Sequence, residues 1–139
     1  MKLSRTVVYA IQAMQQLAEV QSASPVPCSR LAHEGKMPER FLLQILRNLV
    51  KHGILRSTRG VDGGYSLNRK PQDISLLDII EAIDGPFVAK LPTVEGATAK
   101  KHHLRLREAL DGIAASARRQ LAVIKLADLL SPSHLARLA

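Results

Sequence analysis

The spacing of apolar residues over the first fifty positions predicts three helices joined by short connections. The first helix carries apolar side chains at intervals of three and four residues, at Leu3, Val7, Ala10, Met14 and Leu17. A loop at 21–27, rich in Ser and Pro, separates it from a short helix at 28–34. Residues 35–38 then predict a turn, so the chain begins as helix, helix, turn, helix.

The third helix, at about 38–52, has two contrasting faces. Pro38 suits a first helical turn, where its missing N–H costs nothing, and Gly53 favours the end of the helix. The apolar face is predicted to enter the core and consists of Phe41, Leu42, Ile45, Leu46 and Leu49. The opposite face forms one polar stripe of Arg40, Gln44, Arg47 and Lys51. This stripe is available for recognition, or it is simply a solvated helix face.

Alternation typical of a β-hairpin follows the third helix. Residues 54–59 predict one strand, the glycine-rich segment 60–64 a turn, and residues 65–67 the return strand. Ser75 and Asp78 then resemble a capping box before a helix at Leu76–Asp84. Two α-helices joined by a turn and followed by a hairpin are the winged helix-turn-helix arrangement. The predicted fold class is therefore mainly α with a small β-hairpin wing.

The second half of the chain predicts one long helix. Residues 87–101 show no periodicity and predict a flexible loop, and a long helix begins at about Leu104. A repeat near 3.5 residues marks a seam for a second helix, at Leu106, Leu110, Ile113, Ala117, Leu121 and Ile124. We expect dimerisation through this seam; the alternative is that the helix packs on the first helix of its own chain. Residues 131–132 end the helix or begin a short tail.

These elements divide the chain into a DNA-binding domain at 1–87, a flexible loop at 88–103, and a dimerisation helix with its tail at 104–139. The charge supports the division. The chain carries a formal charge of +8, of which residues 1–70 hold +7 and residues 71–139 hold +1. This asymmetry indicates a polyanion-binding unit joined to a nearly neutral one. The alternative is that basic residues only keep the protein in solution.

The remaining composition excludes several classes of function. The chain has no apolar run of the ~18 residues that a membrane span needs, and its start lacks a signal-peptide core. A single cysteine, Cys28, excludes an internal disulfide and fits a reducing cytoplasm. Neighbouring histidines such as His102 and His103 point about 100° apart on a helix, so we expect no metal site. No nucleophile elbow or phosphate-binding loop is present, and we expect no enzymatic activity and no cofactor.

The predicted wing suggests double-stranded DNA as the partner. A recognition helix fits the major groove, where Arg pairs with guanine and Gln with adenine. Arg59, at the start of the hairpin turn, is suited to a narrow minor groove, while Gly60, Gly63 and Gly64 let the backbone turn tightly near the duplex. The alternative is an ordinary hairpin with a solvent-facing arginine. An aromatic content of 3% argues against single-stranded nucleic acid.

The run from Arg59 to Leu67, RGVDGGYSL, resembles the wing signature of the IscR/NsrR/CymR-type (Rrf2) family of bacterial regulators. The segments MKLS at 1–4, FLLQIL at 41–46 and DIIEA at 78–82 resemble the opening helix, the recognition helix and the next helix of that family. The resemblance covers residues 1–87 well and the last helix in outline. It implies a homodimer whose long helices cross and whose recognition helices, roughly 34 Å apart, bind a palindromic operator.

Two departures from the family pattern matter. Many members place three cysteines in the loop before the long helix to hold an iron–sulfur cluster, and residues 88–101 contain none, so we expect no such cluster. The family often has a glutamate before the recognition-helix glutamine, where this chain has Leu43, which can meet a thymine methyl. Cys28, near a helix N-terminus, is a candidate redox-sensing thiol; the alternative is a packed, inert side chain.

The function predicted from the sequence is a cytoplasmic transcriptional regulator, with repression as the expected sign and an unknown effector. Base contacts are assigned to Arg40, Leu43, Gln44 and Arg47. Phosphate contacts are assigned to Lys2, Arg5, Ser29, Arg30 and Lys51. The alternative is a protein-interaction module that regulates a metabolic enzyme or recruits a partner. Salt separates the two, because binding through phosphates weakens steeply as the salt concentration rises.

Overall fold

The computed structural model describes residues 1–20 and 24–130. Within these ranges the chain forms five α-helices and a two-stranded antiparallel hairpin, which lies between the third and fourth helices. Short 3-10 helices occur at Pro71–Asp73 and Leu126–Leu129. This architecture confirms the predicted fold class. Part of the predicted loop, residues 21–23, and the predicted helix end at 131–132 lie outside the described residues.

Helices α1 (Arg5–Glu19) and α2 (Cys28–Gly35) have boundaries with clear local causes. The hydroxyl oxygen of Ser4 accepts a hydrogen bond from the amide of Val7 at 3.2 Å, which satisfies one free N–H at the start of α1. Lys36 adopts the left-handed conformation, with φ of 53°, and so ends α2. Both helices pack their apolar faces into one core.

Helix α3 (Glu39–Lys51) follows a short turn and buries most of its predicted apolar face. Pro38 stands just before the helix as its N-cap rather than inside the first turn. Four residues are buried: Leu42, Ile45, Leu46 and Leu49. The prediction was wrong for Phe41, which is 61% exposed. At 100° per residue, Phe41 lies about 90° from the centre of the buried face, beyond the reach of the core.

The wing consists of strands β1 (Leu55–Thr58) and β2 (Gly64–Leu67), which pair in register along their full length. Val26, in the connection between α1 and α2, pairs with Tyr65 on the side of β2 opposite β1. Its amide donates to the Tyr65 carbonyl at 2.9 Å, and the Tyr65 amide donates back at 2.8 Å. The wing is therefore hydrogen-bonded to the body of the domain as well as connected to it by the chain.

Helix α4 (Leu76–Asp84) begins with the capping box predicted from the sequence. The Asp78 amide donates to the Ser75 hydroxyl oxygen at 3.0 Å, and the Ser75 amide donates to the Asp78 carboxylate at 2.9 Å. This reciprocal pair satisfies two amides that would otherwise lack partners. The helix then buries Ile79 and Ile80.

Helix α5 (Ala97–Val123) is longer at its start than predicted. It begins seven residues before the expected position at Leu104, and the connection that precedes it shortens to residues 85–96. Its opening segment, ATAKKHH, carries no apolar stripe because most of this segment faces solvent. Periodicity cannot detect such a segment, although alanine and lysine favour helix. No described helix, α5 included, has the length and apolar character needed to cross a membrane.

The C-terminal end of α5 packs on its own chain. Leu121, predicted to lie on a dimer seam, is buried against Val7 of α1 and Ile80 of α4. The prediction was wrong for this residue because the last turns of α5 complete a second apolar cluster. The alternative, in which the helix packs on the first helix of its own chain, therefore holds at this end.

After α5 the chain returns to the main core. The Leu76 amide donates to the Ile124 carbonyl at 2.8 Å, and the Leu126 amide donates to the Ile74 carbonyl at 2.8 Å. Leu126 and Leu130 are buried in the same cluster as helices α1 to α4. The segment after the long helix is thus part of the core that supports the wing.

Candidate nucleic-acid interface

Four polar side chains predicted to meet DNA lie exposed along α3: Arg40, Gln44, Arg47 and Lys51. Their spacing of four, three and four residues keeps them on one side of the helix, opposite the buried leucines. Within the described part of the chain, the three cations make no ion pair or side-chain hydrogen bond. Their charges are therefore available to an anionic partner.

Two further residues of α3 join this surface and were missed from the sequence. Phe41 lies beside Arg40 and three residues before Gln44, and Asn48 continues the same side of the helix with an exposed side chain. Phe41 was assigned to the core because aromatic residues usually lie there. Its spacing from Gln44 was the signal that could have placed it outside. Leu43, the predicted apolar base contact, is half-buried at the edge of the surface.

The tip of the wing is solvent-exposed, as its proposed entry into a groove requires. Arg59 and Gly60 are exposed, and Val61 is fully exposed at the turn. Gly60 has φ of 112°, a conformation that other residues rarely adopt. Arg59 has no ion-pair partner among the described residues, so its guanidinium extends from the wing uncompensated.

Gly63 and Gly64 are required for contacts inside the protein. A Cβ atom at Gly63 would lie 2.3 Å from the carbonyl oxygen of Thr58. A Cβ atom at Gly64 would lie 2.4 Å from the carbonyl carbon and oxygen of Val26. These two glycines therefore allow the hairpin to close and to pair with the connection between α1 and α2.

Four of the five residues predicted to hold phosphates lie at the starts of two helices, and the fifth, Lys51, lies at the end of α3. Lys2 precedes α1, Arg5 lies in its first turn, and Ser29 lies in the first turn of α2; all three are exposed. Arg30 pairs with Glu34 at 2.9 Å, and both side chains are about half exposed (54% and 53%). Such an exposed pair is weak, so it leaves Arg30 able to exchange partners.

The predicted dimer residues of α5 differ in their exposure. Leu106 is 50% exposed and Ile113 is 66% exposed, whereas Leu110 and Ala117 are half-buried. Ile124 lies after the helix end in extended backbone and so cannot belong to a helical stripe. Two more apolar side chains of α5 are exposed, Leu104 at 55% and Val123 at 72%.

An ion pair fixes α5 to α4. The Glu81 carboxylate accepts hydrogen bonds from the Arg118 guanidinium and, at 2.7 Å, from the Phe87 amide. Burial alone would raise the pKa of Glu81, but these hydrogen bonds and the charge of Arg118 outweigh it and lower the pKa. Glu81 therefore stays ionised where the long helix meets the winged domain.

A match to a family profile shows which known proteins this chain is related to. The Rrf2 profile, described as iron-dependent transcriptional regulator, matches residues 3–132. The chain belongs to the Rrf2 family. Mycobacterium tuberculosis Rv1287, whose name assigns it to the HTH-type transcriptional regulators, is 36% identical over the whole chain and 89% of that protein. Bacillus subtilis CymR, also named an HTH-type transcriptional regulator, is 30% identical over 79% of this chain and 80% of that protein.

Solved Rrf2 structures agree with this assignment. The structure of B. subtilis CymR, described as a global cysteine regulator, matches with a TM-score of 0.69 and 27% identity over 93% of this chain and 95% of that chain. The structure of T. potens IscR matches with a TM-score of 0.63 and 29% identity, covering 93% of this chain and 85% of that chain. The predicted family, winged-helix fold and transcriptional-regulator function are confirmed.

The chain's donor set does not fit the iron centre that the Rrf2 description suggests. Cys28 is the only cysteine of the sequence, and residues 88–101 supply none. Within the described residues, no three His, Cys, Asp or Glu side chains lie close enough to hold a metal ion. An iron–sulfur cluster needs several thiolate ligands, which this chain cannot provide.

Cys28 lies at the start of α2 and is partly buried. Its sulfur lies 3.7 Å from the Glu39 carbonyl oxygen. Burial, followed by the negative charge of Glu39, raises the pKa of the Cys28 thiol. Because reactive thiols usually have a lowered pKa, this shift favours the alternative of a packed, inert side chain.

Proposed function

We propose that this Rrf2 protein represses transcription by binding a palindromic operator as a homodimer, without an iron–sulfur cluster. One observation carries the proposal: α3 exposes a glutamine and cations that are unpaired within the described residues, and the tip of the wing exposes an arginine. A surface of this kind suits a grooved polyanion better than an apolar protein partner. Such a protein acts in the bacterial cytoplasm, where its DNA lies.

Base recognition is assigned to the exposed face of α3. Arg40 and Arg47 have the planar fork that binds guanine O6 and N7, and Gln44 has the donor and acceptor that pair with adenine. Phe41, exposed at the side of this face next to Gln44, adds an apolar contact for a thymine methyl group. Leu43 offers a smaller contact of the same kind at the edge of the surface.

The wing adds a second contact in the minor groove. Arg59 supplies the positive charge. Gly60 has no side chain, so the turn next to Arg59 stays narrow. A narrow minor groove concentrates negative potential, which favours an inserted arginine. This contact depends on groove width and so adds preference for DNA shape to the base contacts of α3.

Phosphate contacts fix the orientation of the domain on the duplex. Lys51, at the end of α3, is assigned to one phosphate, and Lys2 and Arg5 to others near the start of α1. Ser29 and Arg30 extend the contact at the start of α2. These interactions add affinity without sequence information and make binding salt-dependent.

The homodimer is assigned to the exposed side of α5. Leu106, Leu110, Ile113 and Ala117 follow spacings of four, three and four residues, typical of a paired helix. A twofold axis along this seam places two α3 helices against successive major grooves, roughly 34 Å apart. Palindromic operators have the same symmetry.

Selection of bound fragments from randomised and genomic DNA tests the proposal. We expect a palindromic motif whose affinity falls at least about a hundredfold between 50 and 200 mM salt. Arg59→Ala should weaken operator binding by about tenfold or more. Arg119 is exposed on α5, and the control variant Arg119→Ala should leave operator binding unchanged. If no motif is enriched and the protein binds DNA weakly with an affinity that does not change with salt concentration, the protein-interaction module is favoured instead.

A further inference from the structure

A cavity of about 450 Å³ lies between the loop that precedes α5 and the first three turns of that helix. Leu91 and Val94 line it from the loop, and Leu104 lines it from the helix. This volume lies within the range of pockets that hold small molecules. The cavity contains none of the residues assigned to DNA contact or to the dimer seam.

Three basic side chains line the helical side of this cavity: Lys100, His103 and Arg107. Their spacing of three and four residues places them on one face of α5. Of the described residues that line the cavity, none is acidic, and none of the three basic side chains has an ion pair within the described ranges. Arg105, on a different side of the helix, instead approaches Glu108 at 3.9 Å.

The basic side chains of this cavity favour a negatively charged ligand. Lys100 and Arg107 both carry a positive charge and line the same cavity, so an anion bound between them is attracted by both. His103 and Arg107 are half-buried, so a ligand beside them is shielded from water on one side. An anion bound here is held more firmly than at an exposed lysine, because screening is weaker.

We propose that this cavity binds a small organic acid, with its carboxylate on the basic cluster and a short apolar group against Leu91, Val94 and Leu104. Arg107 offers two parallel N–H donors to a carboxylate. Lys100 adds a positive charge, and His103 an N–H donor. Binding in this cavity does not require DNA, so the proposal stands apart from the operator-binding function.

Calorimetric titration of the full chain without DNA tests the proposal with four probes of similar size or charge. Hexanoate has both the carboxylate and the short apolar chain. Hexylammonium keeps the chain but reverses the charge, 1-hexanol keeps the chain without a charge, and inorganic phosphate has negative charge without the chain. We expect saturable binding of hexanoate with Kd below about 10 mM, and at least about tenfold weaker binding of the other three.

Two matched pairs of variants locate the site. Arg107→Met and Lys100→Met each remove a charge from the cavity while keeping an unbranched apolar side chain, and each should weaken hexanoate binding by about tenfold. Arg105→Met and Lys101→Met remove a charge from the same turns outside the cavity and should leave the Kd unchanged. Circular dichroism confirms that each variant is folded, and the lysine pair decides the result should Arg107→Met unfold.

Several results would overturn the proposal. Hexanoate that fails to saturate shows that the cavity holds no organic acid. Equal affinity for hexylammonium or 1-hexanol shows only an apolar patch, and equal affinity for phosphate shows only nonspecific anion attraction. Equal losses in the cavity variants and their controls show that net charge, rather than this site, attracts the ligand.

Discussion

A methyl group placed on Gly64 would test how the wing is attached to the domain. Gly64 has φ of 153°, and a Cβ atom there would lie 2.4 Å from the carbonyl carbon and oxygen of Val26 and 2.7 Å from the nitrogen of Pro27. All three neighbours are backbone atoms, so no side-chain rotation relieves the overlap. Gly64→Ala must therefore push the wing and the α1–α2 connection apart.

The expected cost follows from what that separation breaks. Val26 and Tyr65 exchange two backbone hydrogen bonds, at 2.9 and 2.8 Å, and each is worth about 0.5–1.5 kcal/mol. Val26 is also 3% exposed, so its displacement uncovers part of an apolar side chain. With the backbone strain of a non-glycine residue included, Gly64→Ala should lower the free energy of unfolding by about 2–4 kcal/mol. The melting temperature should fall by about 10 °C.

Urea and thermal unfolding at one fixed protein concentration measure this effect, since the stability of the proposed dimer would depend on concentration. Gly60→Ala is the matched control on the same hairpin: Gly60 also has positive φ, 112°, but nothing lies within 4 Å of its Cβ position. The control should lose only about 1 kcal/mol. The reasoning would be refuted by a Gly64→Ala variant as stable as the wild type, or by equal losses in the two variants.

Four further predictions concern single side chains. Lys51→Gln should lower the slope of log K against log salt by about one, measured by fluorescence anisotropy; an unchanged slope would exclude a phosphate contact. Folding lowers the pKa of Glu81, so its ionised carboxylate stabilises the wild type above the ordinary pKa of 4.5, and this contribution is lost as the pH falls below that value. Glu81→Gln should remove the contribution. Parallel curves of stability against pH for the two proteins would contradict this. Cys28→Ser should leave the peroxide sensitivity of DNA binding unchanged, since burial keeps the thiol protonated; selective resistance of the variant would show a reactive thiol. Leu121→Ala should lower the free energy of unfolding by about 2–4 kcal/mol in urea, whereas Ile113→Ala should raise the dimer dissociation constant in sedimentation; the reverse pattern would exchange their roles.

Most of the winged domain could be predicted because its helices each bury one apolar face in a common core. Leu42, Leu46 and Leu49 repeat with helical spacing, and the spacing locates α3 without any knowledge of its neighbours. The capping box of Ser75 and Asp78 is equally local, since all of its atoms belong to four consecutive residues. Features of this kind are visible in the sequence.

The features that escaped prediction depend on distant parts of the chain. The pairing of Val26 with Tyr65 involves one residue from a loop, which is too short to show strand alternation. Burial of Leu121 depends on where α5 ends against α1 and α4, and no periodicity along α5 contains that information. The spacing of Phe41 was ambiguous, because it lies three residues before the exposed Gln44 but four residues before the buried Ile45.

The two ends of α5 have different structural roles, and this division bears on how the protein positions its DNA-binding surfaces. Leu121 and the Arg118–Glu81 pair fix the C-terminal end to the winged domain. Leu106 and Ile113, farther toward the N-terminus, remain half or more exposed. A helix without tertiary packing is only marginally stable in water, so a second chain on this side would both stabilise α5 and cover its apolar residues. Because α5 is joined to α4 by the Arg118–Glu81 pair, the angle at which two α5 helices cross in the proposed dimer would set the separation of the two α3 surfaces, and with it the operator spacing.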